Sequence, residues 1–487
     1  MTLLTLIYSG TVLWLAAYGL NALILTFLYL RHRGDGCSTP PFEEEELPTV
    51  TVQVPVYNEH HVIERVVDAV ASLDYPRDRL EIQVLDDSTD QTTQLAQERA
   101  AFHRGQGVDI KVMRRPERKG FKAGALSWGL ERARGDYIAI FDADFRPHPD
   151  FLLETVPYFL NRPQLGLIQA RWSHLNSGFS LLTRAQAMAF DGHFVVEQTG
   201  RDRSGLLMNF NGTAGVWRKT CVEESGGWES TTLSEDLDLS YRAQLEGWDT
   251  LYLPTVEAPA ELPPQIAAFK RQQSRWTQGS VQTLRKLMKP IICSPRLSLV
   301  QKGMALLHLS GYLAHALMVL LLLTTLPLLI LEQTPPSLGI LGLLMSLGPP
   351  LVYAISQQAL YPDWGRRLLA FPLLILIGIG IAWNNTIAVG RGLTTWGGTF
   401  ARTPKFRVEG RKGGWIDSAY RLDVDASVIG ETALALYALA ALATAHSVDR
   451  HSMIPFLLLY AAAFGTVAAM EILQAVSLRR GRCSTAG

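Results

Sequence analysis

An N-terminal apolar run constrains the fold of this chain more than any other feature. Residues 3–30 carry no charged side chain and, as one helix, are long enough to cross the hydrocarbon core of a bilayer. The run has no basic segment before it and is too long for a signal-peptide core. The sequence "RHR" follows at 31–33, which places that end in the cytoplasm by the positive-inside rule. We therefore expect an uncleaved membrane anchor.

The rest of the chain divides into a polar segment and further apolar runs. Asp and Glu concentrate between residues 42 and 261, and the formal net charge is zero, which gives no indication of a nucleic-acid partner. The four cysteines lie far apart, which favours neither a zinc site nor a disulfide framework and suits a reducing compartment. Further apolar runs lie at 304–331, 338–357, 368–389, 428–444 and 453–478. The pattern indicates a multi-pass membrane protein with a large soluble insert.

The positions of the basic residues predict the topology. The stretch 391–421 and the tail after 478 are rich in Lys and Arg and should be cytoplasmic. An odd number of crossings between the insert and 391–421 would violate this rule, so one of the three intervening runs should be interfacial or re-entrant. Our candidate is 368–389, which ends in the polar pair Asn384–Asn385. The run 338–357, interrupted by Gly-Pro-Pro, is the alternative.

These observations predict seven regions. They are a transmembrane anchor at 1–34, a linker at 35–48, an α/β domain at 49–290, membrane helices at 291–390 that include the interfacial or re-entrant segment, a cytoplasmic loop at 391–427, a transmembrane hairpin at 428–480 and a basic tail at 481–487.

Strand and helix patterns alternate in the soluble insert. "TVTVQVPV", "LEIQVL", "IKVM" and "YIAIF" are strand-like runs, and segments near 60–73, 92–104 and 122–133 have helical periodicity. This alternation predicts an α/β fold around a mostly parallel sheet with helices on both faces. Ligands bind such sheets beyond the carboxyl ends of the strands. Three strand ends carry polar residues: Tyr57-Asn58-Glu59, Asp86-Asp87-Ser88 and Asp142-Ala143-Asp144.

The acidic strand ends have two interpretations each. Asp142 and Asp144 could share a hard divalent ion such as Mg²⁺ or Mn²⁺, or could form a solvated turn. Asp86 and Asp87 could accept hydrogen bonds from a nucleobase or a ribose, or could cap the helix that starts near Thr92.

Two further segments place charges at predicted helix starts. Lys119 and Lys122 in "RKGFKAGAL" would favour an anion there, and otherwise are surface lysines. Glu235 and Asp236 in "LSEDLDL" could supply a general base, although acids in a first turn also complement the helix dipole.

The last two motifs offer polar and aromatic side chains that could contact a ligand. "FNGTAGVWR" offers a tight turn with side-chain donors at 211–213. In "QQSRW", Trp276 is either an interfacial anchor or a stacking surface for a sugar ring, and Arg275 either pairs with a carboxylate or holds a phosphate.

The motifs, in the order in which they follow one another along the chain, resemble those of family 2 glycosyltransferases of the cellulose synthase superfamily. The likeness is greatest to its cellulose synthase-like mannan and glucomannan synthases. The matching stretches lie between about residues 50 and 285 and are "QVPVYNE", "IQVLDDSTD", "KAGAL", "AIFDADF", "QARW", "FNGTAGVWR", "EDLDL" and "QQSRW". "FARTPK" resembles the FxVTxK gating loop of cellulose synthases, with Arg402 in place of Val. Ser234 replaces the Thr of the TED motif.

The resemblance implies a GT-A fold, a nucleotide-diphosphate sugar donor and a role for each motif residue. The implied roles are Asp236 as base with Glu235 beside it, Asp86, Asp87, Lys122 and Arg275 at the donor, Asp142 and Asp144 at the metal, Gln272, Trp276, Asn211, Gly212 and Thr213 at the acceptor, and Phe400, Thr403 and Lys405 in the gating loop.

The implied activity is inverting transfer of a hexose from UDP-glucose or GDP-mannose to a growing β-linked polysaccharide, with the catalytic domain on the cytoplasmic face of the cell membrane. Mg²⁺ or Mn²⁺ is the implied cofactor, and the lipid bilayer and the glycan are the implied partners. One alternative is a glycolipid synthase that adds one sugar to a membrane lipid. Another is a transporter or scaffold with a non-catalytic nucleotide-sugar domain.

Overall fold

The computed structural model describes residues 2–36, 38–333, 339–399, 402–415, 418 and 420–485. The strands are β1 (Val50–Val56), β2 (Leu80–Asp86), β3 (Ile110–Met113), β4 (Tyr137–Ile140), β5 (Leu165–His174), β6 (Gly215–Arg218) and β7 (Asp249–Ala260). The helices of the first 300 residues are α1 (Leu3–His32), α2 (Ile63–Ala71), α3 (Thr92–Arg104), α4 (Phe121–Leu130), α5 (Phe151–Thr155), α6 (Leu181–Asp191), α7 (Thr199–Arg203), α8 (Lys219–Glu224), α9 (Glu235–Glu246) and α10 (Ile266–Cys293).

The remaining helices form the C-terminal bundle. They are α11 (Leu299–Leu309), α12 (Leu313–Ile330), α13 (Gly339–Leu360), α14 (Trp364–Arg367), α15 (Phe371–Gly380), α16 (Ala382–Thr394), α17 (Ser427–Ser447) and α18 (Ile454–Thr485). Short 3₁₀ turns lie at Glu44–Glu46, Arg77–Arg79, Val156–Phe159, Leu368–Ala370 and His451–Met453.

The seven strands form one mixed sheet in the order β3-β2-β1-β4-β6-β5-β7. Strands β3, β2, β1 and β4 are parallel, β6 is antiparallel to both of its neighbours, and β5 pairs with β7 in parallel. The four predicted strands are β1 to β4, and the α/β class is confirmed. Because the chain runs outward from β1 to β3 and then returns to β4 on the other side of β1, a crevice opens at the carboxyl ends of β1 and β4.

The sheet core is built from strands buried on both faces. Every residue of β1 except Pro55 is buried, and β2 is buried throughout. Continuous β-branched and apolar runs of this kind are typical of parallel strands covered by helices on both sides. Helix α2 covers one face with Val66, Val67 and Val70, which belong to the same apolar core as β1 and β2.

Helix α6 continues past Asp191 without a break in the helical backbone. A π-helical turn, Gly192–Gln198, joins it directly to α7. The absence of a side chain at Gly192 allows close contact with α13, since a Cβ there would lie 2.8 Å from the ring of Tyr353. Such π-helical turns often occur at functional sites.

The described part of the chain contains four helices that are long and apolar enough to cross a membrane: Leu3–His32, Leu313–Ile330, Ser427–Ser447 and the segment His451–Val476. A fifth candidate is the pair Trp364–Gly380 and Ala382–Thr394, which is bent by 42°. The bend falls inside the predicted interfacial or re-entrant run 368–389, so that assignment stays a prediction compatible with a broken helix. Helix α13 continues through Pro349 and Pro350, so the Gly-Pro-Pro sequence does not end it.

A buried ion cluster joins two of the candidate membrane helices to α10. The Nζ atom of Lys270 in α10 lies 2.5 Å from Glu471 of α18 and 2.8 Å from Glu431 of α17. All three side chains are at most 2% exposed. The carbonyl of Lys270 also accepts a hydrogen bond from Asn384 of α16. Four helices therefore meet at one buried lysine.

We predict that Lys270→Met lowers the stability of the purified protein. Removing one partner of a buried ion pair leaves the other charge uncompensated, which costs about 3–5 kcal/mol. The thermal unfolding midpoint in detergent measures the effect. Lys289→Met is the matched control, because Lys289 lies on the same helix and is exposed. Equal midpoints for the two variants would contradict the prediction.

Candidate active site

A pocket opens at the carboxyl ends of β1 and β4, where the sheet topology places a crevice. Its wall includes most of the residues predicted for the site: Asp87, Lys122, Asp142, Asp144, Asn211, Gly212, Glu235, Asp236, Gln272, Arg275, Trp276, Thr403 and Lys405. These residues come from seven separate parts of the chain. The predicted convergence into one cleft is therefore present.

The Asp142-Ala143-Asp144 turn follows β4 after one residue, Phe141, and both carboxylates line the pocket. Asp142 accepts a 2.6 Å hydrogen bond from Lys122, and Asp144 accepts one of 2.5 Å from Lys405. The backbone N–H of Asp142 donates to Thr213 Oγ1 at 2.9 Å. Thr213 is fully buried and does not line the pocket, so it positions Asp142 instead of facing an acceptor.

These two carboxylates fit a divalent cation only as part of its ligand set. Among the residues that the structure describes, no group of three or more His, Cys, Asp or Glu side chains could hold a metal ion. Hard cations such as Mg²⁺ commonly take one or two protein carboxylates and complete their shell with substrate phosphates and water. Asp142 and Asp144 suit that arrangement, because each is accessible from the pocket and each carries a negative charge that a lysine balances.

Glu235 and Asp236 lie at the start of helix α9 and line the pocket. Lys122 Nζ lies 3.9 Å from Glu235 Oε1, and the Asp236 carboxylate accepts a hydrogen bond from the N–H of Leu237. Burial and the charge of Asp236 raise the pKa of Glu235 to about 7, and burial also raises the pKa of Asp236. Carboxylates with raised pKa values in a cleft are suited to accept a proton near neutral pH.

The turn at Asn211-Gly212-Thr213 contacts both Asp236 and Lys122. Gly212 has φ +83°, and a Cβ at this position would lie 2.8 Å from Asp236 Oδ2. Its carbonyl accepts a 2.9 Å hydrogen bond from Lys122. A glycine is therefore required by both the backbone conformation and the close approach of Asp236.

Of the two acids after β2, the structure brings only Asp87 to the pocket. The Asp86 side chain is buried and accepts hydrogen bonds from Ser88 N–H and Thr93 Oγ1, so it stabilises the start of α3. Asp87 forms a bidentate pair with Arg115 at 2.8 and 2.6 Å. Asp87 faces the cleft, whereas Asp86 is buried against the turn before α3, where Asp90 accepts the N–H of Thr92. Which of the two acids holds a base stays a prediction, and the geometry favours Asp87.

Next to Asp87 lies a stack that the sequence did not reveal. The guanidinium of Arg118 lies 3.3 Å from the centre of the Tyr57 ring and 4.9 Å from that of Phe121. All three side chains line the pocket. A flat, partly cationic surface beside a carboxylate suits a nucleobase, which offers a π-face together with hydrogen-bond donors.

Helix α10 supplies the third side of the pocket. Gln272, Arg275 and Trp276 lie at spacings of three and four residues, which places them on one helix face. Trp276 contacts Phe190 edge-to-face at 5.9 Å between ring centres. Gln272 is buried and its Oε1 atom accepts no hydrogen bond from the described residues. Burial lowers the pKa of Arg275, although the carboxylates of Glu235 and Asp142 oppose that shift.

The segment Arg402–Val408 crosses the pocket and contacts its acids. Arg402 donates two 2.8 Å hydrogen bonds to the Glu59 carboxylate, and Lys405 also donates to the carbonyl of Glu261. Thr403 is buried against the pocket, whereas Phe400 lies outside the described residues. Arg402, the departure from the FxVTxK pattern, therefore forms the strongest contact between this segment and the strand end after β1.

Three charged residues of the pocket have no role in the motifs. Glu59 lies at the polar strand end after β1, to which the motifs give no function, and Glu261 follows β7, a strand that the sequence did not predict. Arg402 differs from the Val of the FxVTxK pattern, and the pattern gives it no function. The strand-end rule would have found Glu261 if β7 had been recognised.

Comparison with known proteins agrees with this geometry. Residues 48–279 match the family described as glycosyltransferase like family 2. The chain is 45% identical over 261 residues to the probable glucomannan 4-beta-mannosyltransferase 7 of Oryza sativa subsp. japonica, which covers 53% of this chain and 45% of that protein. It is 38% identical over 360 residues to the probable glucomannan 4-beta-mannosyltransferase 3 of the same organism, which covers 72% of this chain and 64% of that protein.

A third relative and one solved structure extend the comparison. Glucomannan 4-beta-mannosyltransferase 2 of Arabidopsis thaliana is 43% identical over 262 residues, covering 52% of this chain and 49% of that protein. This chain thus spans about half to two thirds of the length of these relatives. The mannosyltransferase PcManGT from Pyrobaculum calidifontis, solved in complex with GDP-Man and Mn²⁺, superposes with a TM-score of 0.57 at 20% identity, covering 80% of this chain and 99% of that chain. At that identity the likeness concerns the fold alone.

We predict that Glu59→Gln gains stability relative to the wild type as the pH rises. Burial raises the pKa of Glu59 to about 7 in the folded protein, despite the opposing charge of Arg402. A raised carboxyl pKa means that the folded state binds the proton more tightly, so the wild type loses stability as Glu59 ionises. The neutral amide avoids this loss, which amounts to about 3 kcal/mol between pH 5 and 8.

The measurement is the thermal unfolding midpoint of both proteins over that pH range. The difference between variant and wild type should be smallest at the acidic end and largest at the basic end. Glu64→Gln is the control, because the Glu64 side chain is 47% exposed on the neighbouring helix α2. A difference that shrinks with pH, or that Glu64→Gln reproduces, would refute the assignment.

Proposed function

Because the chain belongs to the family 2 glycosyltransferases of the cellulose synthase superfamily, we propose that it transfers a hexose from a nucleotide-diphosphate sugar to a β-linked glycan at a membrane surface. The observation that carries the proposal is the single pocket that unites Asp142, Asp236 and Trp276. It combines a diphosphate-binding side, a base and a sugar-stacking surface within reach of one donor.

Mannose is the sugar that we propose, with GDP-mannose as the donor. The relatives with 38–45% identity are named as glucomannan 4-beta-mannosyltransferases, which supports a mannosyl donor and a β-1,4-linked product. The base site formed by Asp87, Arg118 and Tyr57 is compatible with guanine, because a carboxylate can accept from the guanine N–H groups while an arginine can donate to its ring acceptors.

Each side of the pocket has a proposed role in donor binding. Arg275 and Lys122 contribute positive charge for the diphosphate, and Gln272 and Trp276 hold the acceptor sugar. Asn211 and Gly212 lie between the two substrates. Asp142 and Asp144 would hold Mg²⁺ or Mn²⁺, which when bound neutralises negative charge on the leaving diphosphate.

The proposed reaction is a single displacement with inversion. The acceptor hydroxyl loses its proton to Asp236, and its oxygen forms a bond to the anomeric carbon of the donor. The bond between that carbon and the diphosphate oxygen breaks, and the nucleoside diphosphate leaves with the electron pair. Glu235, with a pKa near neutrality, lies beside Asp236 and influences the charge that Asp236 carries. Inversion of an α-linked donor gives a β-linkage.

Repeated addition with export is the finer part of the proposal. The helix α10, which carries Trp276, is attached through Lys270 to the candidate membrane hairpin α17–α18, which supports a site where a polymer stays bound at the bilayer. The segment that contains Thr403 and Lys405 contacts Asp144 and would have to move when a donor binds. We propose that this face of the membrane is cytoplasmic, because 391–421 and the residues after 478 are basic.

The test of the function uses the purified full chain with each donor in turn. Incubation with GDP-mannose and Mg²⁺ or Mn²⁺ should give a polymer that an endo-β-mannanase digests, whereas UDP-glucose should give much less product. A lipid-extractable monoglycoside would instead identify a glycolipid synthase. No transfer from either donor would exclude the proposed activity and favour a non-catalytic binding domain.

We predict that Asp236→Asn abolishes transfer while donor binding is retained. The amide cannot accept the acceptor proton, and loss of a general base slows a reaction by about 10²–10⁴-fold. Binding of GDP-mannose, measured by calorimetry, should stay within about twofold of the wild type, because Asp236 is not placed at the diphosphate. Asp249→Asn is the control, since Asp249 is exposed at the start of β7. Turnover by purified Asp236→Asn would remove this residue as the base.

A further inference from the structure

A fully buried glutamine of α10 joins two backbone segments that lie next to the pocket. Gln282 has no exposed surface and does not line the pocket itself. Its Oε1 accepts a 2.9 Å hydrogen bond from the N–H of Leu233, and its Nε2 donates one of 2.8 Å to the carbonyl of Gly397. The two ends of one side-chain amide therefore bind two segments that are far apart in the sequence. The proposed reaction gives this residue no part.

The first of these segments leads directly into the proposed base. We call residues 231–234 the base loop, because they precede Glu235 and Asp236 at the start of α9. Leu233 and Ser234 also line the pocket. Helix α10 lies directly against this loop, since a Cβ at Gly279 would clash with the side chain of Ser234. A bond to the Leu233 N–H therefore acts on the loop close to Asp236.

The second segment leads to the covering segment, Arg402–Val408. Gly397 and Gly398, which we call the hinge glycines, have φ +60° and +140°, in the region that favours glycine. The N–H of Gly397 donates to the carbonyl of Thr231 at 2.8 Å. A Cβ at Gly398 would lie 3.4 Å from Leu233 Cδ1. The hinge glycines therefore pack against the base loop before the chain reaches Arg402.

Burial makes the Gln282 amide an effective link between the two segments. Water cannot replace either partner of a side chain with no exposed surface, and a buried amide group without a partner is costly. If the hinge glycines moved away from the base loop, Oε1 or Nε2 of Gln282 would lose its hydrogen bond. Motion of one segment is therefore expected to carry the other with it.

The neighbouring Gln278 shows which hydrogen bond makes the link. Gln278 lies one turn earlier on α10, and its Nε2 also donates to the Gly397 carbonyl, at 3.1 Å. Among the residues that the structure describes, Gln278 forms no hydrogen bond to the base loop. Gln278 thus holds the hinge glycines alone, whereas Gln282 holds both segments.

We propose that Gln282 is a positioning residue for Asp236. It ties the base loop to the hinge glycines, so that movement of the covering segment onto a bound donor and placement of the base occur together. This role rests on the proposed transfer function, in which Asp236 accepts the acceptor proton. Gln282 contacts neither substrate and acts only through the Leu233 N–H. Closure of a segment that completes the catalytic arrangement is a common way to link substrate binding with reaction.

The kinetic test uses Gln282→Met, which keeps the length of the side chain and removes both its donor and its acceptor. Transfer by the purified full chain is measured with GDP-mannose and Mn²⁺ over a range of donor concentrations. We expect kcat to fall about tenfold, because a buried hydrogen bond that holds the base is lost, while the KM for GDP-mannose stays within about twofold. Gln278→Met is the matched control, and its kcat should stay within about twofold of the wild type. Equal losses of kcat in the two variants, or a raised KM with an unchanged kcat, would overturn the proposal.

Hydrogen exchange tests the same link without turnover. In the unliganded full chain, Gln282→Met should raise the exchange rate of the base-loop amides about tenfold, whereas Gln278→Met should leave it unchanged. Strands β1 and β2 report on the fold as a whole. If they also lose protection, Gln282→Asn takes the place of the Met variant, because it keeps the amide but is one methylene too short to reach both partners.

The outcomes separate the link from the reaction. Unchanged exchange in the base loop of the Gln282 variant would overturn the link. Faster exchange with a normal kcat would show that the link does not place the base, which also overturns the proposal. If the wild type transfers sugar from no donor, the proposed function fails, and the exchange rates still decide whether Gln282 holds the base loop to the hinge glycines.

Discussion

The position of Lys122 determines how the rest of the site is arranged. Its ammonium group is close to Asp142 after β4, to the carbonyl of Gly212 and to Glu235 at the start of α9. Burial works against its charge, but Asp142 and Glu235 outweigh that effect and raise its pKa. One cation therefore holds together a strand end, a turn and a helix start that would otherwise bring buried carboxylates into mutual repulsion. Lys122 therefore allows the acids that begin α9, the proposed base among them, to lie close to Asp142.

The same principle of charge balance explains the segment that covers the pocket. Lys405 lies on Asp144 as Lys122 lies on Asp142, so each acid of the Asp142-Ala143-Asp144 turn has a cationic partner from the protein. A donor with a metal ion brings both a cation and a dianionic diphosphate. In the proposed reaction, Lys405 would then exchange the carboxylate of Asp144 for a phosphate of the donor without leaving any charge unpaired. Arg402 and Glu59 keep the segment near the cleft during that exchange, because their bidentate pair involves neither Asp142 nor Asp144.

The sequence predicted those parts of the fold and site that depend on local patterns. Strands β1 to β4 are apolar, β-branched runs between turn signals, and the acids at their ends follow from the rule for parallel sheets. Strand β6 has the sequence Gly-Val-Trp-Arg, with only two apolar residues between a glycine and an arginine, and β7 contains two prolines, so neither showed a strand pattern. The choice of Asp87 over Asp86 depends on which of two adjacent side chains faces the cleft where the strand ends. The pairing of Arg402 with Glu59 spans 343 residues and has no local signal.

Helix α10 connects the chemistry to the membrane. Lys270 binds the two acids of the candidate hairpin at one end of the helix, and Gln272, Arg275 and Trp276 follow within two turns on the same rigid element. Uncompensated charges in apolar surroundings are costly, so Glu431 and Glu471 fix where α10 can lie relative to α17 and α18. Under the proposed function, a helix held in this way would keep Trp276, the proposed sugar-stacking residue, in a fixed position relative to α17 and α18 when the covering segment moves. The site would then open to a donor on one side while its acceptor side stays fixed against these two candidate membrane helices.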